Sequence, residues 1–187
     1  AVDGDTIEVQ DGTQSPGSNI VVDKSVTIQS ANGPSSTTID ASGNAFGFEI
    51  DAGANPNDVT IKGLTITGAD QGIIVSDNAD PSEVENLVIR NNVLESNTDN
   101  GIFLSDTATS TVIDNNEFNS NGGDDEFDNA DNGLLVLGDA DAIELTDNTF
   151  DGNTEAGVHI DNAGAGTSGD NSFNEFKDNT FTNNGDA

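Results

Sequence analysis

Ile113-Asp114-Asn115-Asn116-Glu117-Phe118 is one of five segments of this chain that read alike. The others are Ile61-Lys62-Gly63-Leu64-Thr65-Ile66, Ile89-Arg90-Asn91-Asn92-Val93-Leu94, Leu145-Thr146-Asp147-Asn148-Thr149-Phe150 and Phe176-Lys177-Asp178-Asn179-Thr180-Phe181. From Leu64 through Asn92, Asn116, Asn148 and Asn179 the steps are 28, 24, 32 and 31 residues. A second signature follows the first four: Gly72-Ile73-Ile74-Val75, Gly101-Ile102-Phe103-Leu104, Gly133-Leu134-Leu135-Val136 and Gly157-Val158-His159-Ile160. Gly47-Phe48-Glu49-Ile50 is an earlier member. Short apolar β-type runs broken by Asn, Asp and Gly, at this period, match the coil of a β-helix. Leucine-rich repeats have similar periods, but their Leu spacing and helical segment are missing. The expected fold is all-β: a right-handed, single-stranded parallel β-helix of about six coils. It takes in residues 1–187 as one domain, read as an excerpt of a longer chain, with an acidic insertion at 122–132.

Side chains alternate across a strand, so each run commits every second residue to the core. One predicted inward column is Ile61, Ile89, Ile113, Leu145 and Phe176; another is Ile66, Leu94, Phe118, Phe150 and Phe181. A third is Ile73, Ile102, Leu134 and Val158, followed two residues on by Val75, Leu104, Val136 and Ile160. Each buried aliphatic contributes about 1.5–3 kcal/mol, so no single coil folds alone. Asn92, Asn116, Asn148 and Asn179 fall at the bend between two strands. Asn tolerates left-handed backbone angles there, and its amide bonds to the Asn one rung away. A second set, Asn97, Asn121, Asn153 and Asn184, lies five residues on. Both are expected to be structural ladders.

Charge sets the second constraint. Thirty-five Asp and Glu face four basic residues (Lys24, Lys62, Arg90, Lys177), a formal net charge of −31. On the roughly 8,400 Å² expected for this mass, net charges lie about 16 Å apart. The screening length is about 30 Å at 0.01 M salt and about 3 Å at 1 M, so the surface suits brine and is costly in dilute buffer. Hydrophobic residues come in ordered runs such as Asn19–Val22 and Gly133–Leu137, which argues against a disordered acidic tail. Sign alone disfavours nucleic acid and anionic membranes as partners. There is no long apolar run for direct membrane insertion, and no Cys for a disulfide or thiolate site.

The repeats resemble those of the pectate-lyase-like superfamily, in particular the β-helix repeats of carbohydrate-binding and sugar-hydrolysis proteins. The opening runs Asp3-Gly4-Asp5-Thr6-Ile7-Glu8-Val9, then Asn19-Ile20-Val21-Val22-Asp23-Lys24-Ser25-Val26-Thr27-Ile28, then Thr37-Thr38-Ile39-Asp40. It is similar to the first coils of such proteins, and to the periplasmic protein that assists copper insertion into nitrous oxide reductase. The acidity is similar to that of secreted proteins of extremely halophilic archaea. Lyases, hydrolases, adhesins and phage spikes share the fold, so the resemblance implies no single activity. It implies an extracellular or cell-surface module, salt-adapted, with a structural or binding role toward a polysaccharide or a surface protein. The alternative is a polysaccharide-degrading enzyme of the polygalacturonase or pectate-lyase type.

Copper handling needs soft or imidazole ligands. With no Met, no Cys and one histidine, His159, a copper role is not expected to transfer. A lyase would use a basic residue, and Lys62 and Arg90 occupy equivalent outward positions on adjacent rungs, with Asp114 and Thr146 next; two solvated charges are the expectation. For a polygalacturonase-like hydrolase, Asn97-Thr98-Asp99 and Gly123-Asp124-Asp125 resemble two motifs, and His159 stands where a histidine is wanted. The glycines expected around that histidine and the basic substrate-binding motif are missing. Asp99 and His159 also come out about 16 Å apart, beyond the about 6.5–9.5 Å of an inverting pair. No catalytic residue is therefore assigned; Asp99, Asp124, Asp125 and His159 are the set the enzyme alternative would use.

No cofactor is expected unless it is Ca²⁺, for which Asp124, Asp125, Asp128 and Asp131 of the insertion are the candidate ligands. The EF-hand spacing fails at Ala130 and the glycine-rich Ca²⁺ nonapeptide is absent, so a solvated loop is the leading expectation. A binding surface is expected where Ile74, Phe103, Leu135 and His159 stack outward as an apolar stripe. Its cover is Phe127 of the insertion, a sugar ring on Phe103, or a partner. Self-association through the stripe or through the open solenoid ends is the corresponding partner expectation.

Overall fold

The computed structural model describes residues 1–76, 84–105, 108–123, 131–138, 140–161 and 172–185. Every strand pairing in it is parallel, and three long sheets run the length of the molecule. The first holds Thr6–Val9, Thr27–Ser30, Thr60–Lys62, Val88–Arg90, Val112–Asp114, Ile143–Thr146 and Phe173–Lys177. The second holds Gly12–Gln14, Thr37–Asp40, Thr65–Thr67, Val93–Glu95, Glu117–Asn119, Thr149–Asp151 and Thr180–Thr182. The third holds Ile20–Val22, Phe46–Asp51, Gln71–Ser76, Ile102–Leu104, Leu134–Leu137 and Val158–Asp161. A short extra pair, Val84–Glu85 with Ala108–Thr109, lies outside these faces. The chain visits the three sheets in turn, so each coil adds one strand to each. This is the right-handed parallel β-helix, and a single 3₁₀ turn, Ala52–Ala54, is the helix content of the described residues.

Register converts the sequence columns into a core. On the first sheet Ile28, Ile61, Ile89, Ile113, Leu145 and Phe176 lie side by side. On the second, Ile39, Ile66, Leu94, Phe118, Phe150 and Phe181 do the same. Phe118 stacks on Phe150 at 4.4 Å and Phe150 on Phe181 at 4.9 Å, rings nearly parallel. Stacking identical side chains one rung apart makes each coil a template for the next. The last described members of these rows are less covered: Ile160, Phe176 and Phe181 are 46, 51 and 44% exposed. They belong to the last described strand of each sheet and are covered from one side.

The corners differ from the expectation in one respect. The left-handed residue is not the ladder Asn but the residue before it: Asn91, Asn115, Asp147 and Asp178, with φ between 51 and 56°. At the second corner Ser96, Ser120, Gly152 and Asn183 precede Asn97, Asn121, Asn153 and Asn184. At the third, Asp58, Asn86, Ser110 and Ala142 precede the buried Val59, Leu87, Thr111 and Ile143. One left-handed residue swings the chain and the next side chain then points inward. That is the geometric origin of the inward Asn at the first two corners.

The glycines that open the second signature serve close approach rather than an unusual φ. A Cβ on Gly101 would lie 2.6 Å from the Gly133 carbonyl oxygen and 2.8 Å from a Phe118 ring carbon. A Cβ on Gly133 would meet the Gly157 oxygen and the Phe150 ring in the same way.

Candidate functional site

Alternation on the third sheet sends Ile73 and Val75 into the core and Ile74 outward. Pairing then aligns one outward row: Val21, Glu49, Ile74, Phe103, Leu135 and His159. Three large apolar side chains thus sit on successive rungs about 4.8 Å apart, with the histidine after them. Ile74 and Leu135 are nonetheless only 7 and 6% exposed, while Phe103 and His159 are half-buried. Neither Ile74 nor Leu135 belongs to the central core cluster. The row is therefore a second apolar layer, on the outside of its sheet. An apolar face of this kind supports contact, not proton transfer or bond cleavage. Phe127, proposed from the sequence as its lid, lies outside the described residues.

The ladders occupy two corners. Asn92 donates from its backbone N–H and its Nδ2 to Asn116 Oδ1 at 3.0 and 3.1 Å. Asn116 does the same to Asn148, and Asn148 to Asn179. Each Nδ2 also reaches back to a carbonyl of the preceding coil, as Asn116 does to Ile89 O at 2.9 Å. Asn97, Asn121, Asn153 and Asn184 repeat the pattern five residues on. Asn92, Asn116, Asn148, Asn97, Asn121 and Asn153 are all buried. Their hydrogen bonds run to the coils on either side, so these amides serve the scaffold.

A third Asn pair escaped the sequence reading. Asn132 donates its N–H to Asn100 Oδ1 at 3.1 Å and accepts from the Ala156 N–H at 3.2 Å. The signal was present, since Asn100-Gly101 and Asn132-Gly133 are the same dipeptide at the same place in their coils.

Asp99 does not meet His159. Phe103, Leu135 and His159 are register neighbours, so Asp99, four residues before Phe103, lies two rungs from the histidine's rung, about 10 Å along the axis. The Asp99 N–H donates to Asp70 O at 2.8 Å, and the Thr98 hydroxyl donates to the Asp70 carboxylate at 3.2 Å. Asp124, Asp125 and Asp128 lie outside the described residues. Asp131 is buried, and its Oδ1 accepts from the Gly123 N–H at 3.0 Å, joining the two ends of the insertion. Among the described residues no group of three or more His, Cys, Asp or Glu side chains is placed to hold a metal ion.

The first sheet carries the basic row: Gln29, Lys62, Arg90, Asp114, Thr146 and Lys177 share one outward register line. Thr146 donates its hydroxyl to Asp114 at 2.9 Å. Lys177 pairs with Asp178 and Glu175 at 3.3 and 3.9 Å. Its hydrogen bond to Asp178, and then that carboxylate's charge, raise the ammonium pKa. Ser42 donating to Asp40 lowers that carboxyl, and Thr182 with Asn183 lower Asp151. Lys177 is exposed and Asp40 and Asp151 are only partly buried, which fits local surface pairing rather than a reactive centre.

A family model described as NosD, periplasmic copper-binding protein, matches residues 2–187. No curated protein and no solved structure matches the chain. The copper in that description finds no fitting residues within these 187 positions. Copper sites are built from thiolate, thioether and imidazole, and the chain offers no Cys, no Met and a single His. His159 stands in a row whose register neighbour is Leu135, an apolar setting with no second imidazole available anywhere in the sequence. Among the described residues no helix is long and apolar enough to cross a membrane. With the solenoid geometry above and a match over nearly its full length, the chain belongs to the NosD family of periplasmic parallel β-helix proteins.

Proposed function

We propose that the chain is a salt-adapted binding module of the cell envelope or cell surface, acting through the outer face of its third sheet and not by catalysis. The observation that carries this reading is the aligned outward row Ile74, Phe103, Leu135. In a chain with 35 carboxylates, this outward apolar row supports a contact centred on Phe103, its half-buried member, since Ile74 and Leu135 are already nearly excluded from solvent. The partner is a polysaccharide or a surface protein: a sugar ring lies flat on Phe103, or an apolar protein patch packs against it. The family places its members in the periplasm, and the carboxylate-rich surface suits a saline compartment.

Two measurements test the proposal. Retention on immobilised polysaccharides and molecular mass by light scattering, both in about 2 M NaCl, should show binding or association that Phe103→Ser weakens at unchanged melting temperature. A parent and a variant alike in both assays would sink it. Incubation with polygalacturonate, alginate and neutral glycans in high salt should give neither new reducing ends nor unsaturated uronate absorbance. Cleavage abolished by Asp99→Asn or Asp124→Asn would replace the binding reading with the hydrolase one.

A further inference from the structure

Three of the chain's four basic residues, Lys62, Arg90 and Lys177, stand on one outward row of the first sheet. The inward Ile61, Ile89, Ile113 and Leu145 are fully buried, so the residues flanking them point outward in two parallel rows. Over four successive rungs one row reads Thr60, Val88, Val112, Glu144 and the other Lys62, Arg90, Asp114, Thr146. Two cations are followed by two carboxylates, so this face is neutral on a chain whose net charge is −31. Val88 and Val112 at its centre are half-buried, and Arg90 is exposed. Lys24 and Lys177 form ion pairs with acids close to them in sequence, whereas among the described residues Lys62 and Arg90 form none. Asp114, the register neighbour of Arg90, instead accepts from the Thr146 hydroxyl on its other side at 2.9 Å.

This order of charges is complementary to itself. A two-fold axis lying in the face, along the strands and midway between the Arg90 and Asp114 rungs, reverses the rungs and keeps the rows in place. It sets Arg90 of one copy against Asp114 of the other, and Val88 against Val112, each contact made twice. One rung out, Thr60 and Lys62 face Glu144 and Thr146, which puts Lys62 beside a carboxylate. One rung further, Thr27 and Gln29 face Glu175 and Lys177. Moving the axis by one rung either way opposes Arg90 with Lys62 or with Lys177. Sheets packed face to face lie about 10 Å apart and about 30° askew, and contacts next to the axis survive that rotation.

We propose that the outer face of the first sheet is an isologous interface between two copies of this chain, centred between Arg90 and Asp114. An anionic polymer does not fit the row: it would gain from Lys62 and Arg90 and then meet Asp114 and Glu144. A second copy meets the complement of each. Both copies are strongly negative, so docking needs salt to screen their long-range repulsion, while pairs in contact are screened much less. Short strands on a few rungs make a small face, in the range of transient contacts.

The test is molecular mass by light scattering in about 2 M NaCl, over protein concentrations up to about 1 mM. The parent should move from monomer toward dimer. Arg90→Asp and Asp114→Arg should each raise the dimer dissociation constant at least about 10-fold, because each opposes like charges twice. Asp114→Arg separates pairing from bulk charge: it makes the chain less negative, so bulk repulsion alone predicts tighter association and the interface predicts weaker. An equimolar mixture of the two variants should dimerise again, since each supplies the charges the other lacks. The mixture also controls for folding, because an unfolded variant cannot restore its partner. Phe103→Ser should leave this dissociation constant unchanged, which separates the first sheet from the third. A parent that stays monomeric, an Asp114→Arg variant that associates more tightly, or a mixture that does not dimerise overturns the proposal. So does association that is lost in Phe103→Ser and kept in both charge variants.

Discussion

Asn116 shows how much one side chain can commit in this fold. Its Oδ1 accepts from the Asn92 N–H and Nδ2, its own N–H and Nδ2 donate to Asn148, and its Nδ2 also reaches Ile89 O. Asn116→Ala leaves the buried Asn92 N–H and one Asn92 amide hydrogen without an acceptor and removes a donor from Ile89 O, while Asn148 Oδ1 keeps the backbone N–H of position 116; it should cost on the order of 1–3 kcal/mol. For a domain of this size that is a fall of about 2–4 °C in melting temperature per kcal/mol; an unchanged melt would show that the ladder adds nothing to stability. The ladder was legible because an inward polar residue must repeat its type to satisfy itself. Its neighbour was not. The left-handed positions hold Asn, Asp, Ser, Gly and even Ala142, whose φ is 56°, and no shared side chain marks them in the sequence. An L-residue with a Cβ is strained there. Ala142→Gly should therefore stabilise by about 0.5–1 kcal/mol, the relieved strain exceeding the added unfolded-chain entropy. A lower melting temperature for that variant would contradict the corner assignment.

At the scale of strands and sheets, period-2 alternation told inside from outside, and the register of all three sheets followed from the repeat. What alternation could not tell was how much solvent an outward residue meets. Ile74 and Leu135 face away from the core yet are nearly excluded from water, whereas Phe176 and Phe181 face the core column yet are half exposed. Burial here depends on what lies across the sheet or beyond the last coil, and a strand's own sequence carries neither. For the third sheet, two variants separate the covers: Phe127→Ser should lower the melting temperature if the insertion is the lid. Phe103→Ser should instead lower the molecular mass or the ligand retention if a partner is. If both behave as the parent, the row makes no functional contact. Asp151 offers a smaller test at the last coil. Thr182 and Asn183 hold its carboxyl below the ordinary range, so their stabilisation is complete above that range and is lost as pH falls through the lowered value. Amide exchange at Thr182 and Asn183 should quicken over that interval ahead of the central coils.

The whole molecule is governed by its charge, and here composition alone was informative. Its accessible surface is 8328 Å², so 31 uncompensated charges stand about 16 Å apart. Unscreened in water, each neighbouring pair repels by about 0.3 kcal/mol. With roughly six neighbours per charge there are about 90 such pairs, on the order of 25 kcal/mol unscreened and about half of that in dilute buffer, comparable to the whole stability of a domain. Part of that is shared by the unfolded chain, which is also charged but more expanded. At about 1 M salt the screening length is near 3 Å and the repulsion between such neighbours disappears. The thermal midpoint by circular dichroism should accordingly be far lower in about 0.02 M NaCl than in about 2 M. High salt also strengthens apolar burial through exclusion of solute from the surface, so the shape of the dependence decides between the two causes. Screening acts mostly below about 0.5 M and then saturates, whereas exclusion keeps adding roughly in proportion to concentration. The expected curve rises steeply at low salt, equally for NaCl and KCl, and flattens. Equal midpoints at both extremes, or a rise that is linear throughout, would remove charge repulsion as the factor that limits this fold.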